Sequence, residues 1–206
     1  TRVLIPAGAP MLAERLGCSR EAAEAHLREH VRLCLDCCHF AVEFEDPHAA
    51  LRRLREAGIG VGRVQLSSAL DVTFPADPAA ATALCDRLRR FADATYLHQV
   101  VERRDGAALR QFPDLDAALD AGRPAPGARW RIHFHVPLFA ADYEGLGSTQ
   151  SYVREVLQAA ARDPFTRHFE IETYTWDVLP AGLKIDLLES IGREYDWVLA
   201  NASAAP

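Results

Sequence analysis

The chain has 206 residues, 49% hydrophobic and 25% charged, enough for one domain with a substantial core and too few for two large ones. Its net charge of −6 comes without any block of Lys or Arg, which argues against a phosphate-backbone groove and so against nucleic acid as a partner. No apolar run approaches the roughly 20 residues of a membrane span and no signal-peptide pattern opens the chain; five cysteines, three of them crowded at Cys34, Cys37 and Cys38, fit reduced thiols in a cytoplasm.

Helices and strands alternate along the chain. After IPAGAP, Ser19 reads as the cap of a helix to about His30, with Glu21 in its first turn and Ala22, Ala23, His26 and Leu27 packing inward. A strand follows in which Val31, Leu33 and Leu35 alternate with Arg32, Cys34 and Asp36. Asp46-Pro47 opens a helix with the stripe Ala50, Leu51, Leu54, closed by Gly58. Over Val61 to Ser67, Val64 and Leu66 share one strand face while Arg63, Gln65 and Ser67 share the other. Asp77-Pro78 starts the next helix, with Leu84, Leu88 and Phe91 buried.

Thr95 to Glu102 reads as a strand of mixed pattern, and the Asp105-Gly106 turn returns a hairpin through Ala108 to Phe112. A short helix from Pro113 and the linker GRPAPG lead to Arg129–Val136, where Trp130, Ile132, Phe134 and Val136 face one way and Arg131, His133 and His135 the other. A loop with Tyr143, Gly145 and Gly147 feeds a helix carrying Val153, Val156, Leu157 and Ala160, ended by Asp163-Pro164. The last strand, His168 to Thr175, sets Glu170, Glu172 and Tyr174 opposite Phe169, Ile171 and Thr173. A closing helix from about Gly182 to Leu199 presents Leu187, Leu188, Ile191, Tyr195 and Val198, and residues 201–206 read as a frayed tail. Such alternation predicts an α/β fold with a parallel sheet under right-handed crossovers; polar residues near strand ends favour a barrel wall over a flat, doubly wound sheet.

The chemistry gathers on the polar strand faces. Asp36 and His39 form an Asp-x-x-His pair where an apolar strand runs out, offering a carboxylate oxygen and an imidazole nitrogen to a divalent ion. Each residue also has a structural reading: Asp36 as a helix cap or ion-pair partner, His39 packed beside Phe40, His98 bonded to a carbonyl, Tyr174 and Trp176 in the core. Glu43 and Glu45 either face solvent or reach a ligand's hydroxyls. Cys34-x-x-Cys37 has the spacing of a redox or zinc pair, but strand alternation points the two apart, so core cysteines are expected.

The string LCLDCCHFAVEFED resembles the Asp-x-x-His segment of the xylose-isomerase-like TIM-barrel superfamily, which includes sugar isomerases and epimerases and endonuclease IV. It is most similar to the EboE-like branch, the metabolite-traffic proteins of Ebo gene clusters. The likeness continues through VGRVQLSSAL, YLHQVVERRDG, WRIHFHVPLF, GSTQ and EIETYTWDVLP, so it spans the chain from about residue 19. It implies that residues 1–206 form the C-terminal half of a (β/α)8 barrel, about four of eight units, with the N-terminal strands absent and the barrel unclosed. It implies a divalent ion (manganese, zinc or cobalt) on Asp36, His39, His135 and Glu172, with Gln65 standing where relatives carry a ligating histidine and His133 replacing an acid. Glu172, His39 and His133 become the candidates for proton transfer, and Gln65, His98, Tyr174 and Trp176 the candidates for substrate contact.

The function so implied is metabolite traffic, by isomerising, epimerising or carrying a small polyol- or sugar-like molecule. One alternative is a binding protein that hands its ligand on unchanged. The other is an endonuclease IV-like phosphodiesterase, which Gln65 and the acidic balance count against. Open sheet edges and faces meant for the absent half would drive self-association or association with that half.

Overall fold

A computed structural model describes residues 3–92, 95–172, 176–179 and 184–202. In chain order these form α1 (Leu4–Leu16), α2 (Arg20–His30), β1 (Leu33–Asp36), α3 (Cys37–Val42), α4 (Pro47–Glu56), β2 (Val61–Leu66) and β3 (Ser68–Thr73). Then come α5 (Pro78–Leu88), β4 (Val100–Arg103), β5 (Arg110–Phe112), α6 (Leu115–Asp120) and β6 (Arg129–Val136). The remainder is β7 (Asp142–Tyr143), β8 (Leu146–Ser148), α7 (Gln150–Arg162), β9 (Phe169–Ile171) and α8 (Leu187–Ala202).

Capping chemistry sets the starts of four helices. Ser19 Oγ accepts from the Ala22 N–H at 3.2 Å, and the carboxylates of Asp46 and Asp77 each accept from an N–H three residues on, at 2.7 Å, with Pro47 and Pro78 at the first helical turn. Asp36 caps α3 in the same way, so the strand in CLDCCHFAV stops at Asp36 and a helix, unread in the sequence, begins at Cys37. The other unread helix is α1, which runs through the prolines of IPAGAP. Pro6 falls in its first turn, where an N–H has no helical acceptor, and Gly8 lets Leu27 of α2 come close: a Cβ there would lie 3.3 Å from Leu27 Cδ1.

The strands form two sheets, one three-stranded in the order β1-β2-β9 and one six-stranded in the order β5-β4-β6-β3-β8-β7. The first is wholly parallel, with Asp36 beside Gln65 and Gln65 beside Glu170. Leu35, Val64 and Leu66 on one face are buried with Tyr152, Val153, Val156 and Leu157 of α7, and α4 and α8 flank them. Each such side chain stabilises the fold by roughly 1.5–3 kcal/mol. The other face carries Cys34, Asp36, Arg63, Gln65 and Glu170. The path β1–α4–β2–α7–β9 is two successive parallel crossovers, as the alternation predicts.

The second sheet departs from that expectation. Residues 67–149 lie between β2 and α7 and make the six-stranded sheet, in which every pairing is antiparallel. Arg129–Val136, expected in a parallel wall, lies between β3 and β4 and antiparallel to both. Two local features produce this. The Gly106 turn (φ 70°) folds β4 onto β5, and so short a connection can only join antiparallel strands; and β2 does not end at Ser67 but continues as β3 into the second sheet. The alternation along β6 is as read: Trp130, Ile132, Phe134 and Val136 enter a core with Leu70, Phe74, Leu88, Phe91 and Leu115. The fold is thus mixed α/β, and the described residues contain no closed barrel.

α8 buries a different face from the apolar stripe. Leu188 is 78% and Tyr195 55% exposed, whereas Ser190 and Glu194 are buried. A polar contact outweighs the apolar stripe here: Glu194 Oε1 accepts from the buried Leu138 N–H at 2.9 Å, a donor that would otherwise go unmet after β6 ends.

Burial pushes the Glu194 carboxyl up to about 7, against the lowering effect of the Leu138 N–H. The folded chain therefore keeps a proton that the unfolded chain loses in the ordinary carboxylate range, and stability falls as pH rises from that range to about 7. Glu194→Gln keeps an acceptor for Leu138 and removes the titration. In denaturant unfolding the variant should gain ~1–3 kcal/mol over the parent at about pH 8 and much less at about pH 5. An equal difference at both would show that the carboxylate is solvated.

Candidate metal centre

Ser67 stands at the point where β2 leaves the parallel sheet and β3 enters the other, and it is buried. Its hydroxyl donates to Asp36 Oδ1 at 3.1 Å and accepts from the Cys38 N–H at 3.2 Å, while Asp36 Oδ1 also accepts from the His39 N–H at 3.2 Å. These bonds fasten the first turn of α3 to the head of the parallel sheet. Cys38 and Val42 then lie against Ala69 of β3 and Val101 of β4. The pairing of β3 with β6 jumps from Ala69–His135 to Leu70–Ile132, a bulge on β6 of the kind that re-aims side chains beside sites. Around it the His133 N–H reaches Gln99 O at 2.8 Å, and His98 Nδ1 lies 3.1 Å from the His133 carbonyl.

The result is a meeting of Cys38 Sγ with ring nitrogens of His133 and His135, all within 4.8 Å of one another. Burial is the first cause of every shift there. It brings His133 down to about 4, helped by the neighbouring His39, and His135 down to about 3, helped by His133. Both imidazoles are neutral near pH 7 and have a lone pair to give. His133 Nε2 is buried with no hydrogen-bond partner among the described residues. Burial, then Asp36 and Glu172, push the Cys38 thiol well up.

Glu172 borders this group. Burial, then the charges of Asp36 and Glu170, push its carboxyl up to about 7, and its Oε2 is buried without a partner among the described residues. Between Glu172, His135, Trp176 and Glu194 lies a cavity of about 20 Å³, room for one water. His39 is exposed, its ring centroid 4.2 Å from that of His133.

The expected ligand set is therefore regrouped. Of its members only His135 is in the close cluster; His133, expected to transfer protons, lies beside it there, while Asp36, His39 and Glu172 are near neighbours of the cluster. Asp36 is at once helix cap and site neighbour, because one oxygen serves both Ser67 and α3. Gln65 turns along the parallel sheet, where its Oε1 accepts from Cys34 Sγ at 3.1 Å, and Arg63 Nε donates to the same sulfur at 3.3 Å. His98 is fully buried, its ring 5.0 Å from that of Phe134 and its Nδ1 3.1 Å from the His133 carbonyl, so it braces the bulge that carries His133. Trp176 is half-buried under Lys184 Nζ, 4.6 Å from its ring, and lines the small cavity. Tyr174 lies outside the described residues.

Cys38 and Ser67 were not read as site residues. The signal for Cys38 was its place beside His39, hidden by the strand reading; in a helix it turns toward β6. Compared with known protein families, curated proteins and solved structures, the chain matches none.

Arg131, on the same face of β6 as the two histidines, ties that strand to α3. Its Nε donates to Asp71 Oδ2 at 3.0 Å, its Nη1 to the Ala41 carbonyl at 2.6 Å, and its guanidinium stacks 4.4 Å from the Phe44 ring. Arg131→Ala should cost on the order of 2–4 kcal/mol in urea unfolding, with Arg131→Lys recovering only part, since a point charge cannot make the fork. A loss below ~0.5 kcal/mol would mean that α3 is seated without it.

Proposed function

We propose that the chain holds a divalent transition-metal ion on Cys38, His133 and His135 and works on a small polyol- or sugar-like metabolite at the head of the parallel sheet. The observation that carries this reading is the convergence within 4.8 Å of a thiol and two imidazoles kept neutral by burial. One sulfur and two nitrogens suit zinc or cobalt better than oxygen-seeking manganese, and three protein ligands leave a fourth position open, as catalytic sites do. When bound, such an ion supplies Lewis-acid polarisation of a hydroxyl or carbonyl.

The chain's own groups supply the proton chemistry. Glu172, with its carboxyl near 7, is suited to take a proton from carbon beside a carbonyl and to return it to the neighbouring carbon on the same face, which is isomerisation; epimerisation needs a second group to protonate the opposite face, for which exposed His39 is the candidate. Asp36, oriented by Ser67, raises the Glu172 carboxyl by its charge. On the polar strand face Arg63 and Gln65 are engaged with Cys34 and Glu170, so a substrate hydroxyl would meet the remaining Gln65 amide donors and guanidinium N–H groups.

The parallel crossovers, with helices on one face and polar residues on the other, support reading β1, β2 and β9 as part of a barrel wall, as the resemblance to the xylose-isomerase-like superfamily implies. The six-stranded sheet is then an insertion after β2 that brings His133 and His135 to the strand ends. The EboE-like likeness makes metabolite traffic the context.

Elemental analysis of the purified protein should find about one zinc or cobalt ion per chain, lost in Cys38→Ser and His135→Ala and retained in Gln65→Ala. Cobalt-loaded protein should absorb in the near ultraviolet by sulfur-to-cobalt charge transfer, and Cys38→Ser should not. Glu172→Gln should keep the metal and lower turnover of a responsive sugar by at least ~100-fold. A folded protein that binds no zinc or cobalt would overturn the metal reading and leave a metabolite carrier.

A further inference from the structure

At the end of the parallel sheet opposite Cys38, where β2 starts, α4 and α7 enclose a groove of about 540 Å³. Its floor is apolar, from half-buried Leu54, Ile59 and Phe165, and its rim is cationic. Arg55 on that rim is held by Asp163. Arg52 and Arg162 are exposed and make no ion pair or hydrogen bond with the described residues, on a chain whose net charge is −6. The volume is that of an ordinary small-molecule site.

We infer that this groove binds an amphiphile with an apolar body and a phosphate head, the body on Leu54, Ile59 and Phe165 and the head between Arg52 and Arg162. Both halves of the ligand follow from the groove. An apolar body displaces water from a floor that the fold leaves partly wet, and two guanidinium forks match a phosphate in charge and geometry. An alcohol of equal length leaves the arginines unanswered, and inorganic phosphate leaves the floor uncovered. Arg162 closes α7 and also complements that helix's dipole, a local role that requires no ligand. The site is separate from Cys38, His133 and His135 and does not depend on a metal there.

Calorimetric titration of the full chain at low ionic strength, with octyl phosphate below its micelle concentration, tests this. Octyl phosphate should saturate at one per chain, with octanol and inorganic phosphate at least about tenfold weaker. The double variant Arg52→Ala, Arg162→Ala should weaken octyl phosphate at least about tenfold without altering metal content or far-ultraviolet dichroism. Ala159→Trp, which fills the groove from α7, should weaken it similarly. Absence of saturation, inorganic phosphate binding as tightly as octyl phosphate, or unchanged binding in both variants would overturn the inference.

Discussion

The structure depends on one strand that changes sheets. Val61–Leu66 gives its backbone hydrogen bonds to parallel neighbours and Ser68–Thr73 to antiparallel ones, so the chain at Ser67 passes between two ladders. A backbone crossing there, in the interior, must have its polar groups answered. The Leu66 carbonyl takes the Glu172 N–H, Thr149 answers both the N–H and the carbonyl of Ala69, and the Ser67 hydroxyl ties the crossing to its neighbours, donating to Asp36 and accepting from the Cys38 N–H. A crossing lacking that hydroxyl would leave the buried Cys38 N–H without its acceptor and Asp36 Oδ1 with the His39 N–H alone, and α3 would lose a tie to the sheet that positions it.

Two cores then meet along this seam. One lies between the parallel sheet and α4, α7 and α8; the other lies between the antiparallel sheet and α5 and α6. β6 belongs to the second core by Trp130, Ile132, Phe134 and Val136, and since side chains alternate with period two, that burial fixes the opposite face for Arg131, His133 and His135. A slip of one residue would expose four large apolar side chains, so the apolar face fixes the histidine face. Arg131 adds the lateral tie by reaching the carbonyl end of α3 and the stacked Phe44.

What could be read from sequence was what local chemistry decides. Ser19, Asp46-Pro47 and Asp77-Pro78 start helices because their side chains answer nearby N–H groups, and β6 shows its faces because alternation needs no partner. What could not be read was decided by distant contacts. The partners of β6 depend on β3, whose string SALDVT is buried at every position but the last and so shows no alternation. α8 turns a glutamate inward because Leu138, 56 residues away, needs an acceptor. Cys38 is a core thiol by burial, and only the bend from β1 into α3 sets it against two imidazoles. The site was half legible for the same reason. His133 and His135 were visible by alternation, while their third partner was hidden by a helix six residues long.

The centre's groups share one bias. Burial comes first in each shift, and each shift moves toward the uncharged form: imidazoles neutral, thiol protonated, Glu172 poised between its two states. Such a set is dry, holds lone pairs, and includes two acids whose charged forms a nearby positive charge would favour. Packing alone accounts poorly for it, since a buried ring nitrogen left unmet, as His133 Nε2 is among the described residues, costs ~1–3 kcal/mol, and an apolar side chain of similar size would fill the place at no such cost. The fold keeps an imidazole there, faces it with a sulfur, and sets a carboxyl near neutrality beside both. That combination suits the ion proposed above, since a sulfur and two nitrogens within 4.8 Å of one another form a donor set that such ions accept.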